Sequence, residues 1–201
     1  NRILVSTSAA ALPDAVKLTR HAIGIGAHGC LMLPPFFIKG VSDDGIIDAY
    51  RWVIDTVADS RLRVVLYNIP QVAGVGVSAA VIEALGTRYP GTILGIKDSG
   101  CVREPSLELA RRFMPPLQVW VGNEPDLRVM AARGTNGAVS GVANVLPRCI
   151  QRLVADPDGP RADADMARVQ ALLDILLAYG LLPAFKVAMA MIDGDDGWRR
   201  V

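Results

Sequence analysis

The chain has 201 residues, of which 51% are hydrophobic, so it is long enough to bury a sizeable core as one globular domain or a large part of one. Its 21 lysines and arginines nearly balance its 20 aspartates and glutamates, which leaves a net charge of +1. A chain so close to neutrality has no general attraction for polyanions. We therefore expect neither a nucleic acid nor a membrane surface as its partner.

The cysteines and histidines are few and widely spaced. Cys30, Cys101 and Cys149 form no CxxC pair, and the two histidines, His21 and His28, form no HExxH motif. This composition predicts reduced, mostly buried cysteines and no bound metal. The sequence also lacks an apolar run of the roughly 20 residues that span a bilayer, and it does not start with a signal peptide pattern. These features predict a cytoplasmic protein.

Short apolar runs alternate with longer amphipathic stretches, a pattern typical of βα units around a parallel sheet. The predicted strands cover residues 3–6, 30–33, 63–67, 93–97, 117–121 and 138–140. The predicted helices between and after them cover residues 13–26, 43–58, 79–88, 104–113, 125–133 and 146–155. After the sixth unit the alternation stops, and two more helices are predicted, over 163–179 and 183–191. We therefore divide the chain into βα units in residues 1–156 and a C-terminal helical region in residues 157–201.

Six parallel βα units fit either an open doubly wound sheet or a (βα)8 barrel that lacks two units. Polar residues gather where several strands end: Ser6, Thr7, Tyr67, Asn68, Lys97, Asp98, Asn123, Glu124 and Ser140. A site assembled from the carboxyl ends of many strands is typical of a barrel. The predicted fold class is therefore α/β, a (βα)8 TIM barrel that here lacks about the first two βα units, with C-terminal helices.

Two of these strand-end residues have complementary chemistry. Lys97 follows an apolar strand, where partial desolvation would favour the neutral amine that attacks a carbonyl to form a Schiff base. Tyr67 closes the preceding strand, and its hydroxyl could pass a proton to the same reaction centre. The alternatives are a lysine that extends to solvent and a structural tyrosine. On adjacent strands of a barrel, the two residues would share one rim.

The segment from Gly24 to Gly29 matches the pattern GxGxxG. It lies at the end of a predicted helix and before a strand, whereas a dinucleotide-binding loop follows a strand and opens a helix. We interpret it as a helix stop with a loop that contains His28, and we expect no cofactor. A phosphate-binding or nucleotide-binding protein is kept as a rival reading.

Two segments, YNIP at residues 67–70 and GIKDS at residues 95–99, resemble the dihydrodipicolinate synthase and N-acetylneuraminate lyase superfamily of pyruvate-dependent class I aldolases. The likeness extends to LPPFF at residues 33–37 and to GAVSGVAN at residues 137–144. The resemblance implies that Lys97 forms a Schiff base with pyruvate, that Tyr67 relays protons and that the backbone around Val139 contacts the pyruvate. It also implies that the family's Gly-Thr-Thr-Gly-Glu motif belongs to two βα units that precede this segment.

Departures from the family pattern concern the second substrate. In true dihydrodipicolinate synthases an arginine two residues after the proline of the tyrosine motif binds the carboxylate of the second substrate, but Val72 stands at that position, so the resemblance implies that an acidic second substrate loses this binding group. A usual pair of tyrosines, one of which relays protons from a neighbouring subunit, is replaced by Phe36 and Phe37. Gly122 and Glu124 resemble part of the loop that meets sugar hydroxyls in the lyase branch. The predicted substrate-binding residues are therefore Val139, Phe37, Val72, Gly122 and Glu124.

The resemblance implies a Schiff-base lyase or aldolase, of the carbon-carbon or carbon-oxygen type, that acts on a 2-oxo acid with pyruvate and an aldehyde as reactants. A homo-oligomer, a dimer or a tetramer, is implied as well. Two alternatives stay open: a 4-hydroxy-tetrahydrodipicolinate synthase proper, and a non-catalytic homologue that binds a 2-oxo acid. The missing hydroxyls of Phe36 and Phe37 motivate the second.

Overall fold

A computed structural model describes residues 3–200 of the chain. Its strands are β1 (Leu4–Ser6), β2 (Gly29–Met32), β3 (Val64–Asn68), β4 (Ile93–Asp98) and β5 (Gln118–Val121). The helices are α1 (Leu12–Gly24), α2 (Asp43–Val57), α3 (Pro70–Ala73), α4 (Ala79–Arg88), α5 (Arg103–Phe113), α6 (Leu127–Ala131), α7 (Pro147–Ala155), α8 (Ala162–Ala178) and α9 (Leu181–Asp193). Short 3₁₀ helices cover Glu124–Asp126, Val142–Asn144 and Asp196–Arg199.

The strands form one sheet in the order β1-β2-β3-β4-β5, and β1 to β4 pair in parallel. Val64, Val65 and Leu66 of β3 are each fully buried, as expected for a strand covered on both faces. A doubly wound sheet reverses its strand order at a switch point, whereas a barrel adds each new strand beside the last. The observed order is therefore that of a TIM barrel.

The chain divides into two compact units. The first unit ends at Trp120, and the second begins at Val121. The first unit contains β1 to β4 with α1 to α5, and the second contains α6 to α9. The proposed division at residue 156, between βα units and C-terminal helices, stays a prediction.

Local signals in the sequence explain where the helices begin and end. The hydroxyl of Ser42 accepts a hydrogen bond from the backbone N–H of Gly45 at the start of α2, and Ser78 caps α4 in the same way. After α1 the chain turns at Gly26, whose φ of +80° is a conformation that glycine adopts without strain. The predicted helices over 43–58 and 79–88 thus begin where the structure has α2 and α4 begin.

The predicted sixth strand, over residues 138–140, is wrong. Only Ala138 makes a β-bridge there, to Val121. Gly137 precedes it with a φ of +127°, and the backbone of Gly141 is already helical, so the extended stretch is too short for a strand. The predicted helix over 125–133 is also wrong in part, because it begins as a 3₁₀ turn and its α-helical part is only Leu127–Ala131.

The three cysteines of the described part are free thiols, as predicted. Cys30 and Cys149 are buried, and burial raises the pKa of the Cys30 thiol, whereas Cys101 is exposed. Within residues 3–200 no single helix has the length and apolar character needed to cross a membrane. α8 and α9 reach that length only when taken together, and they are bent by 116° at the break between them.

An ion pair joins α7 to α8 in the second unit. The guanidinium of Arg152 donates from Nε and Nη2 to the two carboxylate oxygens of Asp165, at 2.6 and 2.7 Å. The side chain of Asp165 is 1% exposed. Hydrogen bonding to Arg152 is the main reason that the pKa of this carboxyl falls from its ordinary 3.8 to about 2.

The lowered pKa predicts a pH-dependent contribution to stability. Because the native state holds the Asp165 proton less tightly than the unfolded chain does, this contribution is fully present above the ordinary pKa and is lost as the pH falls through about 2. We expect Asp165→Asn to be less stable than the wild type at pH 6, with the difference shrinking towards pH 2. Urea unfolding at several pH values measures this. A difference that stays constant with pH would contradict it.

Candidate active site

Tyr67 and Lys97 lie opposite each other at the carboxyl ends of β3 and β4. The register of the two strands shifts just after Val64, where β4 carries one extra residue. Without this bulge Ile96 would pair with Tyr67 instead. Because directly paired residues of a sheet point to the same face, the bulge brings the amine and the phenol together.

The two side chains are in direct contact. Nζ of Lys97 donates a hydrogen bond to the Tyr67 hydroxyl at 2.9 Å, and the same nitrogen lies 4.1 Å from the centroid of the tyrosine ring. Both residues are half-buried. A phenol within hydrogen-bond reach of an amine can exchange a proton with groups bonded to that nitrogen. The predicted pair is therefore brought together as expected.

A buried carboxylate fixes the backbone beside Lys97. Asp98 is 5% exposed, and its Oδ1 accepts hydrogen bonds from Asn68 Nδ2 at 2.7 Å and from the backbone N–H of Gly100 at 3.1 Å. Its Oδ2 accepts from the Ser106 hydroxyl in α5. Asp98 thus ties the end of β4 to β3, to the following loop and to the next helix.

Asn68 extends this network to the loop after β3. Its Oδ1 accepts from the backbone N–H of Val77 at 3.0 Å, and its carbonyl oxygen accepts from the backbone N–H of Ser99 at 2.8 Å. Gln71 then donates to the carbonyl oxygen of Ser99 at 2.7 Å. The sequence pattern identifies Asn68 and Asp98 only as polar residues at strand ends. Their role as the support of the Tyr67–Lys97 pair follows from contacts between segments distant in the chain.

Gly95 allows the close approach of β4 to the neighbouring strand. A Cβ added at Gly95 would lie 1.9 Å from the backbone oxygen of Gln118, and a backbone atom of a paired strand cannot move aside easily. We expect Gly95→Ala to cost about 3 kcal/mol in the free energy of unfolding. Because Lys97 lies two residues further along β4, its position should be disturbed as well.

Urea unfolding measures this loss, and Gly24→Ala is its matched control. Gly24 is the last residue of α1, where an added Cβ meets nothing within 4 Å. Alanine is the better helix former, so this control should be as stable as the wild type or slightly more stable. Equal stability of the two variants would contradict the steric role of Gly95.

The predicted substrate-binding residues of the first unit lie in the segments that follow β2 and β3. Phe37 is in the loop after β2 with 76% of its surface exposed, and Val72 is in α3, after β3, with 72% exposed. Both segments follow carboxyl ends of strands, the edge at which Tyr67 and Lys97 lie. Neither residue is part of the hydrogen-bonded network, and their contact with substrate stays a prediction.

The other predicted substrate-binding residues belong to the second unit. Oε1 of Glu124 accepts from the Ser140 hydroxyl at 2.6 Å and from the backbone N–H of Val142 at 3.3 Å. The backbone N–H of Val139 donates to the carbonyl oxygen of Val121 at 2.9 Å, and Gly122 is the residue after Val121. Gly122, Glu124 and Val139 are half-buried. Their roles in binding also stay predictions.

The GxGxxG segment has the predicted context, since it connects the end of α1 to β2. The backbone N–H of Ile3 donates to Nδ1 of His28 at 3.1 Å, so this histidine holds the loop to the chain near β1. The described residues contain no group of three or more His, Cys, Asp or Glu side chains that could hold a metal ion.

The fold and the site together define a class of protein. It is an α/β protein of the TIM-barrel type in which a half-buried lysine is hydrogen-bonded to a tyrosine where two parallel strands end. A sequence model described as the Dihydrodipicolinate synthetase family matches residues 2–199. An uncharacterized DapA-like lyase of Chloroflexus aurantiacus is 33% identical over 190 residues, which are 93% of this chain and 62% of that protein. The chain belongs to the dihydrodipicolinate synthetase family.

Solved structures agree with this assignment. Dihydrodipicolinate synthase from Agrobacterium tumefaciens is 30% identical with a TM-score of 0.84, and the match covers 99% of this chain and 66% of that one. A 2-keto 3-deoxygluconate aldolase from Picrophilus torridus has a TM-score of 0.86 at 19% identity, covers 96% of this chain and 69% of that one, and shows the fold alone. The predicted TIM-barrel fold class and the predicted family are confirmed. The chain spans less than two thirds of the length of the Chloroflexus and Agrobacterium proteins.

Proposed function

We propose that the protein is a class I aldolase or lyase that forms a Schiff base between Lys97 and pyruvate. The observation that carries the proposal is the 2.9 Å hydrogen bond between the Lys97 amine and the Tyr67 hydroxyl. A nucleophilic amine with a proton donor in contact is the pair of groups that imine formation requires. The relatives named as lyase and synthase support the same chemistry.

The first half of the reaction joins pyruvate to the enzyme. The neutral amine of Lys97 attacks the ketone carbon, a C–N bond forms, and the carbonyl oxygen takes the proton of the Tyr67 hydroxyl. The nitrogen of the resulting carbinolamine returns a proton to Tyr67, which passes it to the new hydroxyl group, and that group leaves as water. The product is a protonated imine on Lys97.

The second half makes or breaks a carbon-carbon bond. Loss of water leaves Tyr67 as a phenolate, which takes a proton from the pyruvate methyl group; the electron pair left on that carbon moves towards the imine, and an enamine forms. The enamine carbon adds to an aldehyde carbon, and the aldehyde oxygen takes the proton back from Tyr67. Water then adds to the imine carbon, the C–N bond breaks, and Lys97 is free again. The reverse sequence cleaves a 4-hydroxy-2-oxo acid, and no cofactor takes part in any step.

The remaining residues supply binding in this proposal. The backbone around Val139 would contact the pyruvate portion, while Phe37 and Val72 would face the second reactant with apolar surface. Gly122 and Glu124 would border the same reactant if it carries hydroxyl groups. The half-buried Glu124 carboxylate, which accepts from Ser140, supports this role because it is held in a fixed position.

Two further properties are proposed for the whole protein. Exposed apolar side chains such as Phe37 and Ile38, which is 64% exposed, support a homo-oligomer, a dimer or a tetramer, because adjacent exposed apolar residues often mark interfaces. Free thiols support a cytoplasmic location, since the cytoplasm keeps cysteines reduced.

Exchange of pyruvate protons for deuterium tests the proposed function without an aldehyde. In D2O the enamine takes up deuterium at the pyruvate methyl carbon each time it is protonated, so the methyl proton signal should fall in the presence of the protein. Lys97→Met should leave the signal unchanged. If the wild-type protein binds pyruvate but leaves the signal intact, the protein is a non-catalytic 2-oxo-acid binder and the proposal is wrong.

A further inference from the structure

A side chain connects the segments after β3 and β4 just beyond the Tyr67–Lys97 pair. Gln71 is in α3, the short helix that follows β3, and its Nε2 donates to the carbonyl oxygen of Ser99 at 2.7 Å. Ser99 comes directly after β4 and two residues after Lys97. The two strands that carry the pair are therefore joined once more past the end of β4.

The helix α3 presents Gln71 in a fixed position. Pro70 is its first residue, where the ring sets φ near the helical value, and the backbone N–H of Gly74 closes the turn by donating to the carbonyl oxygen of Pro70 at 2.8 Å. From the segment after β2, Nζ of Lys39 donates to the carbonyl oxygen of Ala73 at 2.7 Å. Because these contacts hold α3 as well, its position does not depend on Gln71 alone.

The turn after β4 is the part that depends on Gln71. Ser99 is 3% exposed, so its carbonyl oxygen has little access to water and needs a partner in the protein. Cys101 has a φ of +58°, which residues other than glycine adopt only where surrounding contacts impose it. The Cys101 thiol lies 3.4 Å from the Ser99 carbonyl oxygen, but a thiol is a weak donor. Gln71 is the stronger of these two donors, and its Nε2 also lies 3.4 Å from Cys101 Sγ.

We infer that Gln71 is a positioning residue for Lys97. This inference rests on the proposed function, because it concerns the attack of the Lys97 amine on pyruvate. By fixing the turn two residues beyond Lys97, Gln71 limits movement of the end of β4 and keeps Nζ at 2.9 Å from the Tyr67 hydroxyl. A displacement of about 1 Å between reacting groups can lower a rate by about 10². Gln71 therefore acts on kcat and not on the binding of pyruvate.

Exchange of the pyruvate methyl protons for deuterium measures this role. We expect Gln71→Met, whose unbranched side chain has a similar length but no donor, to lower kcat of exchange about tenfold and to leave KM for pyruvate within about twofold. Gln71→Glu should lose as much at neutral pH, because a carboxylate only accepts hydrogen bonds. Gln71→Lys, which restores an N–H donor, should recover most of kcat.

Lys39→Met is the matched control. Lys39 holds the same helix, but it joins Ala73 to the carbonyl oxygen of Phe36 in the segment after β2 and not to the turn after β4. Its kcat should stay within about twofold of the wild type. Equal losses in Lys39→Met and Gln71→Met would show that Gln71 only holds α3, and the inference would be wrong. Urea unfolding of each variant separates a lower kcat from a smaller folded fraction.

The same exchange experiment distinguishes the two ways in which this account can fail. If the wild-type protein exchanges and Gln71→Met exchanges at the same rate, only the role of Gln71 is wrong. A loss in Gln71→Met that Gln71→Lys does not recover would also overturn that role. If the wild-type protein does not exchange, Lys97 forms no enamine, and the proposed function and this inference are both wrong.

Discussion

Lys97→Met is expected to lower kcat by about ten-thousand-fold or more, the scale on which removal of a covalent nucleophile acts in other enzymes. Methionine has the same unbranched shape as the lysine stem, so the packing at the end of β4 should survive. The variant lacks the nitrogen that becomes part of the imine and that donates to the Tyr67 hydroxyl. Deuterium exchange into pyruvate and aldol condensation should be lost together.

Lys97→Arg keeps the positive charge at this position but removes the nucleophile. Arginine keeps a cation at the end of β4 but does not lose a proton in proteins, so it cannot form the imine. We expect it to be as inactive as Lys97→Met. If Lys97→Arg retained much of the activity, the lysine would act by attracting an anionic substrate, and the Schiff-base mechanism would be wrong.

Tyr67→Phe should lower kcat by a factor of about 10² to 10³, because it removes a proton donor and acceptor but leaves the nucleophile. The phenol contacts the Lys97 nitrogen at 2.9 Å, and the ring of a phenylalanine would still lie beside that nitrogen. The variant should therefore still form the imine, but slowly, and should bind pyruvate with little change. Single-turnover measurements of imine formation and of product release detect the slowed steps.

Tyr179→Phe is the matched control, since it removes a phenol hydroxyl from a side chain that is 79% exposed. It should have wild-type kinetics. A Tyr67→Phe variant that was as active as this control would show that the proton comes from another group, and the role assigned to Tyr67 would be wrong.

Much of the fold could be predicted because short-range patterns determine it. Buried parallel strands appear as continuous apolar runs, and Ser42 and Ser78 cap helices through contacts only three residues away. The segment at 138–140 has the same apolar character but forms a single bridge. Its failure depends on backbone angles at Gly137 and Gly141, which composition does not reveal.

Of the candidate site, only the reactive groups could be predicted from the sequence. Lys97 and Tyr67 stand out because each follows an apolar strand and resembles a family motif. The bulge in β4 that pairs them depends on register, and no local pattern specifies it. The support from Asp98 and the loop contacts of Lys39 join segments about 30 residues apart. Such long-range contacts require coordinates.

The most direct test of the Lys97 mechanism is to trap the imine. The protein is incubated with pyruvate and sodium borohydride, which reduces an imine to a stable amine, and the modified peptide is identified by mass spectrometry. We predict one reduced pyruvate per chain, bonded to Lys97, with Lys17, Lys39 and Lys186 unmodified. A protein that gains no adduct, or that carries it on another lysine, would contradict the proposal that Lys97 is the nucleophile.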